Sequence, residues 1–482
     1  MNPYIPNSSP TTPTPTWGRL GLTQFIKREP GFYPATGYHI YCELRPVEAF
    51  ESAEDDKQIT KFVRVIDRYA QLGAEAANQR GLVMLELQGR VLHFFFAGEA
   101  TDANTDEVID FVHEFTRSAY DDLREEMGDH WHGFAAAFDH GRCILLNQTS
   151  QQTLSTVSLG PSANNPAKRL FKECPAGHVS APSRLLRRLV AARAEWTDIN
   201  LRDRLSSPSR SGASLAESFS KVAHLMRKDD GTIQNFSAAQ GQNILHFSPN
   251  KPLRIKGSVI RFDLDGFSAL VERAFSTGES AIMLLAQGFK TVMDYAEIVA
   301  NAHQPCLMLP WAGDCATFLL PDLENVVQRL PRWMAFCNDW MAGEVNRHKS
   351  PVAHDAVLKG TKWGAGAAHG KTGKLVAATS IVQTHAFLYA VGASQVTAKD
   401  AQESVKGDQL AIDSEDYSQL TGSLKQMFDF RNSDAFWVAE HPSDEKLKRV
   451  AKVAGVSVAT PSIITSTKQA LPAHPVNRPY FY

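Results

Sequence analysis

One order of apolar segments occurs twice in this chain of 482 residues. In the second copy, a strand pattern that ends in "RFDLDGF" precedes a helix pattern, two apolar runs joined by "PWAGD", another helix pattern and the run "WGAGAAHG". In the first copy, "YHIYCELR" precedes a helix pattern, the paired runs "LVMLEL" and "VLHFFF", another helix pattern and "HGFAAAFDHG". Corresponding points lie about 220 to 230 residues apart, which indicates a duplicated domain rather than a short repeat.

Each copy has the order βαββαβ, which predicts the ferredoxin-like split βαβ arrangement of the α+β class, a sheet with helices on one face. Two such domains in tandem are expected to pair face to face as an internal pseudo-dimer. We divide the chain into a Pro/Thr-rich flexible arm, a first domain, a polar helical connector, a second domain and a C-terminal extension, at residues 1–35, 36–175, 176–253, 254–402 and 403–482.

The composition is that of an ordinary globular chain, with 43% hydrophobic and 21% charged residues. The net charge of −2 gives no reason to expect a nucleic-acid partner. No window has the roughly 18 consecutive apolar residues that a membrane span needs, and the N-terminus does not have the pattern of a signal peptide. The six cysteines lack CxxC spacing, which is typical of reduced thiols, so we expect a cytoplasmic protein without a membrane contact.

Two acids mark the second domain as the candidate site. The predicted order makes the first strand and the paired runs neighbours, so Asp263 and Asp314 are expected to meet at one edge of the sheet. Two carboxylates there repel each other unless a cation lies between them, and Mg²⁺ or Mn²⁺ prefers such oxygen ligands together with phosphate oxygens. Gly266 and Phe267 begin a helix whose free amides favour phosphate, which points to a metal-bound nucleoside triphosphate.

The residues "RFDLDGFSAL" and "AGDCATF" resemble the two metal-binding segments of the class III nucleotidyl (adenylate and guanylate) cyclases. The resemblance covers most of residues 36–175 and 254–402. It implies two divalent cations, Mn²⁺ or Mg²⁺, held by Asp263, Asp314 and the backbone carbonyl of Leu264. In that family one domain supplies these ligands, and its partner supplies base-binding residues and an N-x-A-x-R motif. By its position, Asp265 is expected to support the site from outside the ligand set or to cap the helix.

The first domain contains the partner motif in "SLGPSANNPAKRLF", with Asn165 and Arg169 as its polar members. By the resemblance, Asn165 orients the ribose and Arg169 stabilises charge on the phosphoryl group.

Each domain lacks the half of the site that the other retains. The metal positions of the first domain fall on Glu43 and Arg90, and the motif positions of the second fall on Val396 and Asp400. We therefore expect one composite site and one degenerate site.

The implied reaction is attack of the ribose 3′-hydroxyl on the α-phosphorus of the same nucleotide, with release of pyrophosphate. The base-binding positions fall on Glu86 and Ser158. A Glu cannot donate to adenine N1 as a Lys does, so ATP is disfavoured, whereas guanine, uracil and cytosine each offer donors to a carboxylate. A tandem chain with neither purine signature resembles the pyrimidine cyclases of bacterial anti-phage (Pycsar) systems, which make cUMP or cCMP for a separate effector protein.

Three other functions stay open at this point. The first is a guanylate or adenylate cyclase in ordinary signalling. The second is a catalytically silent nucleotide sensor, which would have no need of a divided catalytic set. The third is a related enzyme that joins nucleotides between molecules, against which the N-x-A-x-R motif speaks.

Overall fold

The computed structural model describes most of both predicted domains. The described residues are 31–45, 56–127, 133–150, 153–186, 195–201, 234–235, 253–303, 305–321, 326–341, 362–369, 375–382, 385–432, 435–440, 449 and 452. Most of the predicted arm, much of the connector and the end of the C-terminal extension lie outside them.

The first half of the chain forms a seven-stranded sheet with the order β2-β3-β1-β4-β6-β7, and β5 pairs with β4. Its strands are β1 Gly31–Arg45, β2 Val83–Gln88, β3 Val91–Ala97, β4 Gly133–Ser150, β5 Thr153–Leu159, β6 His178–Pro182 and β7 Trp196–Asn200. Its helices are α1 Asp56–Gln79, α2 Asp102–Met127 and α3 Pro161–Lys172, and a 3-10 turn covers Ser183–Leu185.

The second half forms another seven-stranded sheet, with the order β11-β12-β10-β13-β16-β18-β17, and a four-stranded sheet with the order β15-β14-β9-β8. The strands are β8 Gln234–Asn235, β9 Leu253–Arg254, β10 Gly257–Leu264, β11 Leu307–Met308, β12 Ala316–Pro321, β13 Trp363–His369, β14 Val376–Val382, β15 His385–Val391, β16 Gln409–Asp413, β17 Phe430–Arg431 and β18 Phe436–Glu440. The helices are α4 Phe267–Thr277, α5 Glu279–Ala302, α6 Val326–Met341, α7 Ala393–Glu403, α8 Ser414–Ser418 and α9 Gly422–Lys425.

The predicted βαββαβ order is present in both halves, and each sheet is larger than predicted. In the first half, β6 pairs in parallel with β4 and β7 pairs with β6, although both strands follow the predicted boundary at residue 175. In the second half, β16 pairs in parallel with β13 and β18 pairs with β16, beyond the boundary at residue 402. The chain beyond each boundary therefore completes the sheet of the half before it.

Each large sheet has its own apolar core. In the first half, the apolar faces of α1 and α2 pack on the sheet around a cluster of aromatic rings, Tyr69, Phe94, Phe111, Phe115 and Phe134. In the second half, the ring of Trp340 on α6 stacks 4.8 Å from Phe262 of β10 and meets Trp363 of β13 edge-on at 5.1 Å. Such rings bury large apolar areas and fix how the helices cross the sheet.

A hairpin from each half is buried in the core of the other half. The ends of β4 and β5, with Ile144, Leu146, Val157 and Leu159, belong to the apolar core of the second half. Residues of β14 and β15, among them Val376, Phe387 and Tyr389, belong to the core of the first half. Neither core is complete without strands from the other half.

Hydrogen bonds also join each buried hairpin to the half that surrounds it. The Oγ of Ser380 on β14 donates to Oδ1 of Asp67 on α1 at 2.6 Å, and the hydroxyl of Tyr389 on β15 donates to the carbonyl of Val63 at 3.0 Å. In the opposite direction, the backbone amide of Trp311 donates to the Oγ of Ser155 at 2.8 Å. These polar contacts fix the position of each buried hairpin.

None of the helices in the described residues is both long enough and apolar enough to cross a bilayer.

The Ser380 contact predicts a measurable loss of stability. Burial raises the pKa of Asp67 to about 6, and the Ser380 hydroxyl is a hydrogen-bond partner that opposes this shift. Ser380→Ala should therefore lower the free energy of unfolding by about 1–3 kcal/mol, because it leaves a buried carboxyl without that donor. Urea unfolding measures the change, with Ser276→Ala on the exposed surface of α4 as the control. Equal stability of the two variants would contradict the importance of this contact.

Candidate functional site

Asp263 and Asp314 approach each other at the end of β10. Asp263 is the penultimate residue of that strand. Asp314 follows Gly313, whose φ of 61° is a left-handed conformation that glycine adopts without strain. The turn is closed by backbone hydrogen bonds between Ala312 and Cys315, each at 3.0 Å. This tight turn is what brings the second acid beside the first strand.

The pKa values of the two acids reflect their burial and, for Asp314, the charge of Asp263. Burial raises the pKa of Asp314 well above its usual range, and the charge of Asp263 raises it further. Burial likewise raises the pKa of Asp263 to about 6, opposed by Arg261 and reinforced by Asp265. The backbone amides of Leu264 and Asp314 donate to the Asp314 carboxylate. Two half-buried, mutually repelling carboxylates favour a cation between them.

Asp265 does not join this pair. Its carboxylate accepts a hydrogen bond of 2.5 Å from the amide of Gly407, and its own amide donates to the carbonyl of Lys362 at 2.9 Å. The N-cap of α4 is Gly266, and no side chain caps that helix. The alternative that Asp265 caps the helix was therefore wrong, and the residue instead ties the end of β10 to the loop before β16.

The corresponding place in the first half is filled by an ion pair. Glu43 is 1% exposed, and its Oε1 lies 3.2 Å from Nε of Arg90 while its Oε2 lies 2.6 Å from Nη2 of Arg45. Burial raises the pKa of Glu43, and the two guanidinium groups oppose that shift. The positive charge at this position is therefore supplied by the arginine side chains of the chain itself.

A cavity of about 450 Å³ lies between the two halves. This volume is within the range of small-molecule sites. From the second half it is lined by Asp314, Arg261, Ser268 and part of β15 and α7, and from the first half by Tyr41, Glu86, Arg90, Ser158 and part of α3. The cavity therefore includes Asp314 of the acid pair and Arg90 of the Glu43–Arg90 ion pair.

The basic side chains along the cavity wall outnumber the acidic ones. Five basic residues line it, Arg90, Lys168, Lys172, Arg261 and Lys399, against the acidic residues Glu86, Asp314 and Glu403. A wall with this balance favours an anionic ligand.

The two predicted motif residues make their contacts away from this cavity. The Asn165 side chain is a hydrogen-bond partner of Asp139 on β4. The Arg169 Nη2 lies 2.9 and 3.0 Å from the two carboxylate oxygens of Asp198 on β7, and Nη1 also pairs with Glu173. Neither side chain lines the cavity, and their proposed roles stay predictions.

The face of α3 that does line the cavity carries Asn164, Ala167, Lys168 and Lys172. These residues were missed because the letters of N-x-A-x-R fit Asn165 and Arg169. The start of the helix was a usable signal: α3 begins at Pro161 after Gly160, just as α7 begins at Ala393 after Gly392. If the two helices are aligned on those glycines, Asn164 corresponds to Val396 and Lys168 to Asp400. This alignment differs by one residue from the motif alignment, which pairs Asn165 with Val396.

The two predicted base-binding residues both lie in the cavity wall. Glu86 on β2 and Ser158 on β5 line it together with Tyr41. Glu86 is 3% exposed, and its Oε2 accepts a hydrogen bond of 2.6 Å from Nε2 of Gln88. Burial raises the pKa of Glu86 to about 8, so the carboxyl is protonated near neutral pH.

A pair of buried histidines lies behind Glu86. Nδ1 of His93 is 3.7 Å from Oε1 of Glu86, and Nε2 of His93 is within hydrogen-bond distance, 3.0 Å, of Nδ1 of His39. The His93 ring stacks on Tyr41 at 4.0 Å. Burial lowers the pKa of His93 to about 3, so a neutral imidazole faces a neutral carboxylic acid and the contact is not an ion pair.

The predicted phosphate-binding turn is only partly at the cavity. Gly266 is exposed and has a φ of 74°, whereas the Phe267 ring is buried in the second core. The residue of this helix start that lines the cavity is Ser268. The role of Gly266 and Phe267 in phosphate binding stays a prediction.

The acid pair fits a divalent cation that shares its ligands with a substrate. In the described part of the chain, no group of three or more His, Cys, Asp or Glu side chains is placed to hold a metal ion. Two carboxylates with a raised pKa are nevertheless the donor set that Mg²⁺ or Mn²⁺ uses when phosphates and water complete its shell.

Neither a protein-family model nor a curated protein sequence matches the chain. Among solved structures, the chain is similar to a class III adenylyl cyclase-like ATP-binding protein from Pseudomonas aeruginosa, with a TM-score of 0.64 and 13% identity over 87% of this chain and 91% of that one. It is also similar to the adenylyl cyclase CyaB of P. aeruginosa, with a TM-score of 0.28 and 13% identity over 33% of this chain and 84% of that one. A third match is the guanylate cyclase domain of RhGC from Catenaria anguillulae, with a TM-score of 0.26 and 9% identity over 33% of this chain and 85% of that one.

The first of these similarities shows the fold. The chain has the mixed α/β fold of class III cyclase-like proteins, and the resemblance drawn from "RFDLDGFSAL" and "AGDCATF" is confirmed at that level.

The repulsion between the two acids predicts that removing one charge stabilises the protein in a chelator. Asp314→Asn should raise the free energy of unfolding by about 1–2 kcal/mol at neutral pH, since the folded state no longer holds two neighbouring carboxylates. Thermal unfolding in EDTA measures it, with the exposed Asp106→Asn as the control. A less stable Asp314→Asn protein would contradict a net destabilisation by the repulsion between the two acids.

The buried Glu86 predicts a pH dependence of stability. Its pKa is higher in the folded state than in the unfolded state, so the folded state binds the extra proton and stability falls as pH rises from about 4.5 to about 8. In Glu86→Gln, the fall in the free energy of unfolding over this pH range should be smaller by a few kcal/mol, because the amide does not ionise. Urea unfolding of both proteins at pH 5, 7 and 9 tests it, and parallel pH profiles would contradict it.

Proposed function

We propose that this chain is a nucleotidyl cyclase that converts a nucleoside triphosphate into a 3′,5′-cyclic nucleotide and pyrophosphate. The observation that carries the proposal is the pair Asp263 and Asp314, of which Asp314 lines a cavity whose opposite wall comes from the first half. The fold similarity supports the same function class.

In this proposal the two halves act as an internal pseudo-dimer with one composite site. The exchange of β4–β5 and β14–β15 between the cores supports this arrangement. The Glu43–Arg90 ion pair supports the assignment of the other position as degenerate, because a guanidinium group occupies the place of a metal. The protein should therefore be active as a monomer.

The proposed reaction forms one bond to the α-phosphorus and breaks another. The ribose 3′-oxygen bonds to the α-phosphorus, the bond from that phosphorus to the oxygen bridging to the β-phosphate breaks, and the hydroxyl proton passes to solvent. Divalent cations held by Asp263 and Asp314, with the Leu264 carbonyl as a proposed further ligand, would activate the hydroxyl and neutralise phosphate charge. The chain itself positions the ribose and the phosphates in line.

The role of Arg169 in this reaction remains a proposal from the resemblance. To reach the phosphoryl group it would have to leave Asp198 and Glu173. This arrangement favours a second candidate function, a nucleotide-binding protein without turnover. The solved structure that covers 87% of this chain is itself described as an ATP-binding, adenylyl cyclase-like protein.

For the base, we propose a pyrimidine nucleotide, on the resemblance to Pycsar cyclases, with cUMP or cCMP as the messenger of an anti-phage response read by an effector protein. A protonated Glu86 offers one donor and one acceptor, which can pair with N3 and the exocyclic amine of cytosine and equally with N3–H and O4 of uracil, so its protonation does not choose between the two pyrimidines. Adenine presents the same pattern as cytosine, so the argument that disfavoured ATP requires an ionised Glu86.

Incubation of the purified chain with Mn²⁺ and each of the four nucleoside triphosphates, followed by mass spectrometry of the products, tests class and base together. We expect one cyclic nucleotide plus pyrophosphate. Asp263→Ala and Asp314→Ala should each lower turnover at least about a hundredfold, while Asp106→Ala should not. Binding of a nucleotide without any cyclic product would favour the second candidate.

A further inference from the structure

The cavity-facing residues of α3 follow the helical repeat. Asn164, Lys168 and Lys172 are spaced four residues apart and so lie along one face of the helix. All three line the cavity. Asn165 and Arg169 lie one residue further on, which rotates them by about 100° around the helix axis.

The rotation of α3 is fixed by contacts on its other faces. Ala163 and Leu170 are buried, and Leu170 packs in a small apolar cluster with Ala135 and Ala137 of β4. The Asn165 contact to buried Asp139 and the Arg169 contacts to Asp198 hold the same orientation. Turning Arg169 toward the cavity would break these contacts, since the helix cannot rotate without moving its buried residues.

The two lysines are available to a ligand. Lys168 and Lys172 are both exposed, and neither forms an ion pair with any residue that the structure describes. An unpaired lysine is a compact charge on a flexible stem, well suited to a phosphate group.

A third basic residue comes from the other half. Arg261 precedes Asp263 by two residues on β10, so both side chains project from the same face of the sheet. Arg261 lines the cavity, as Asp314 does. Ser268 at the start of α4 lines the cavity as well, and α4 contacts α3.

We propose that Lys168 and Lys172 of α3, together with Arg261 of β10, bind the triphosphate of the nucleotide, and that Asn164 is the asparagine of this helix that faces the ligand. The inference rests on the proposed function only for the identity of the ligand as a nucleoside triphosphate. It assigns to Lys168 the phosphate contact that the sequence motif assigns to Arg169.

The direct test is binding of magnesium tripolyphosphate to the full chain by isothermal titration calorimetry. Lys168→Met should weaken binding about tenfold or more, the loss of one charge-assisted contact, and Lys168→Met/Lys172→Met should weaken it further. Lys168→Arg, which keeps the charge, should bind within about threefold of the wild type. Lys61→Met, an exposed lysine of α1 away from the cavity, is the matched control.

Arg169→Met tests the competing assignment, in which Arg169 rather than Lys168 binds the phosphate. We expect it to lower stability in urea, through loss of the Asp198 and Glu173 contacts, with little change in tripolyphosphate affinity. If Lys168→Met binds as the wild type does, or if Arg169→Met loses as much affinity as Lys168→Met while still folded, the inference is overturned.

The binding test also separates this inference from the proposed reaction. If no nucleotide is cyclised but tripolyphosphate binding still depends on Lys168, the inference stands and the reaction does not. If a nucleotide is cyclised and Lys168→Met changes neither its KM nor tripolyphosphate affinity, the reaction stands and the inference does not.

Discussion

The burial of each half's hairpin in the other half's core is the constraint on which the rest of the structure depends. Ile144 and Leu159 are part of the second core, and Val376 and Tyr389 are part of the first. Because apolar burial is the main driving force of folding, the two sheets are held in one relative position. That position places α3 opposite the end of β10 and so creates the cavity.

Within this frame, the two related positions balance their charge in different ways. In the first half, Glu43 is neutralised by Arg90 and Arg45 inside the protein. In the second half, Arg261 lowers the pKa of both Asp263 and Asp314, yet burial keeps the two pKa values raised. Charge that the fold leaves unbalanced is typical of a functional site.

The sequence was sufficient for the element order and for the acid pair. Strand and helix periodicity predicts both βαββαβ units, and Gly313 with Asp314 marks the turn beside β10. The outer strands were not predicted, because the pairing of β6 with β4 and of β16 with β13 is long-range and leaves no local pattern. The orientation of α3 was missed for a related reason: Asp139 and Asp198, which hold Asn165 and Arg169, are distant in sequence. Likewise, the protonation of Glu86 follows from burial, which its neighbours in sequence do not reveal.

The exchanged hairpins also restrict how a ligand can enter and leave. If the two halves separated as rigid bodies, the buried residues of β5 and β15 would become exposed to water, at a large cost in hydrophobic free energy. A ligand must therefore enter and leave by local motion of side chains and loops around the cavity. Lys168 and Lys172 line one side of this cavity and Lys399 lines the other. The same basic residues that favour an anion inside the cavity would then be the first that it meets from solvent.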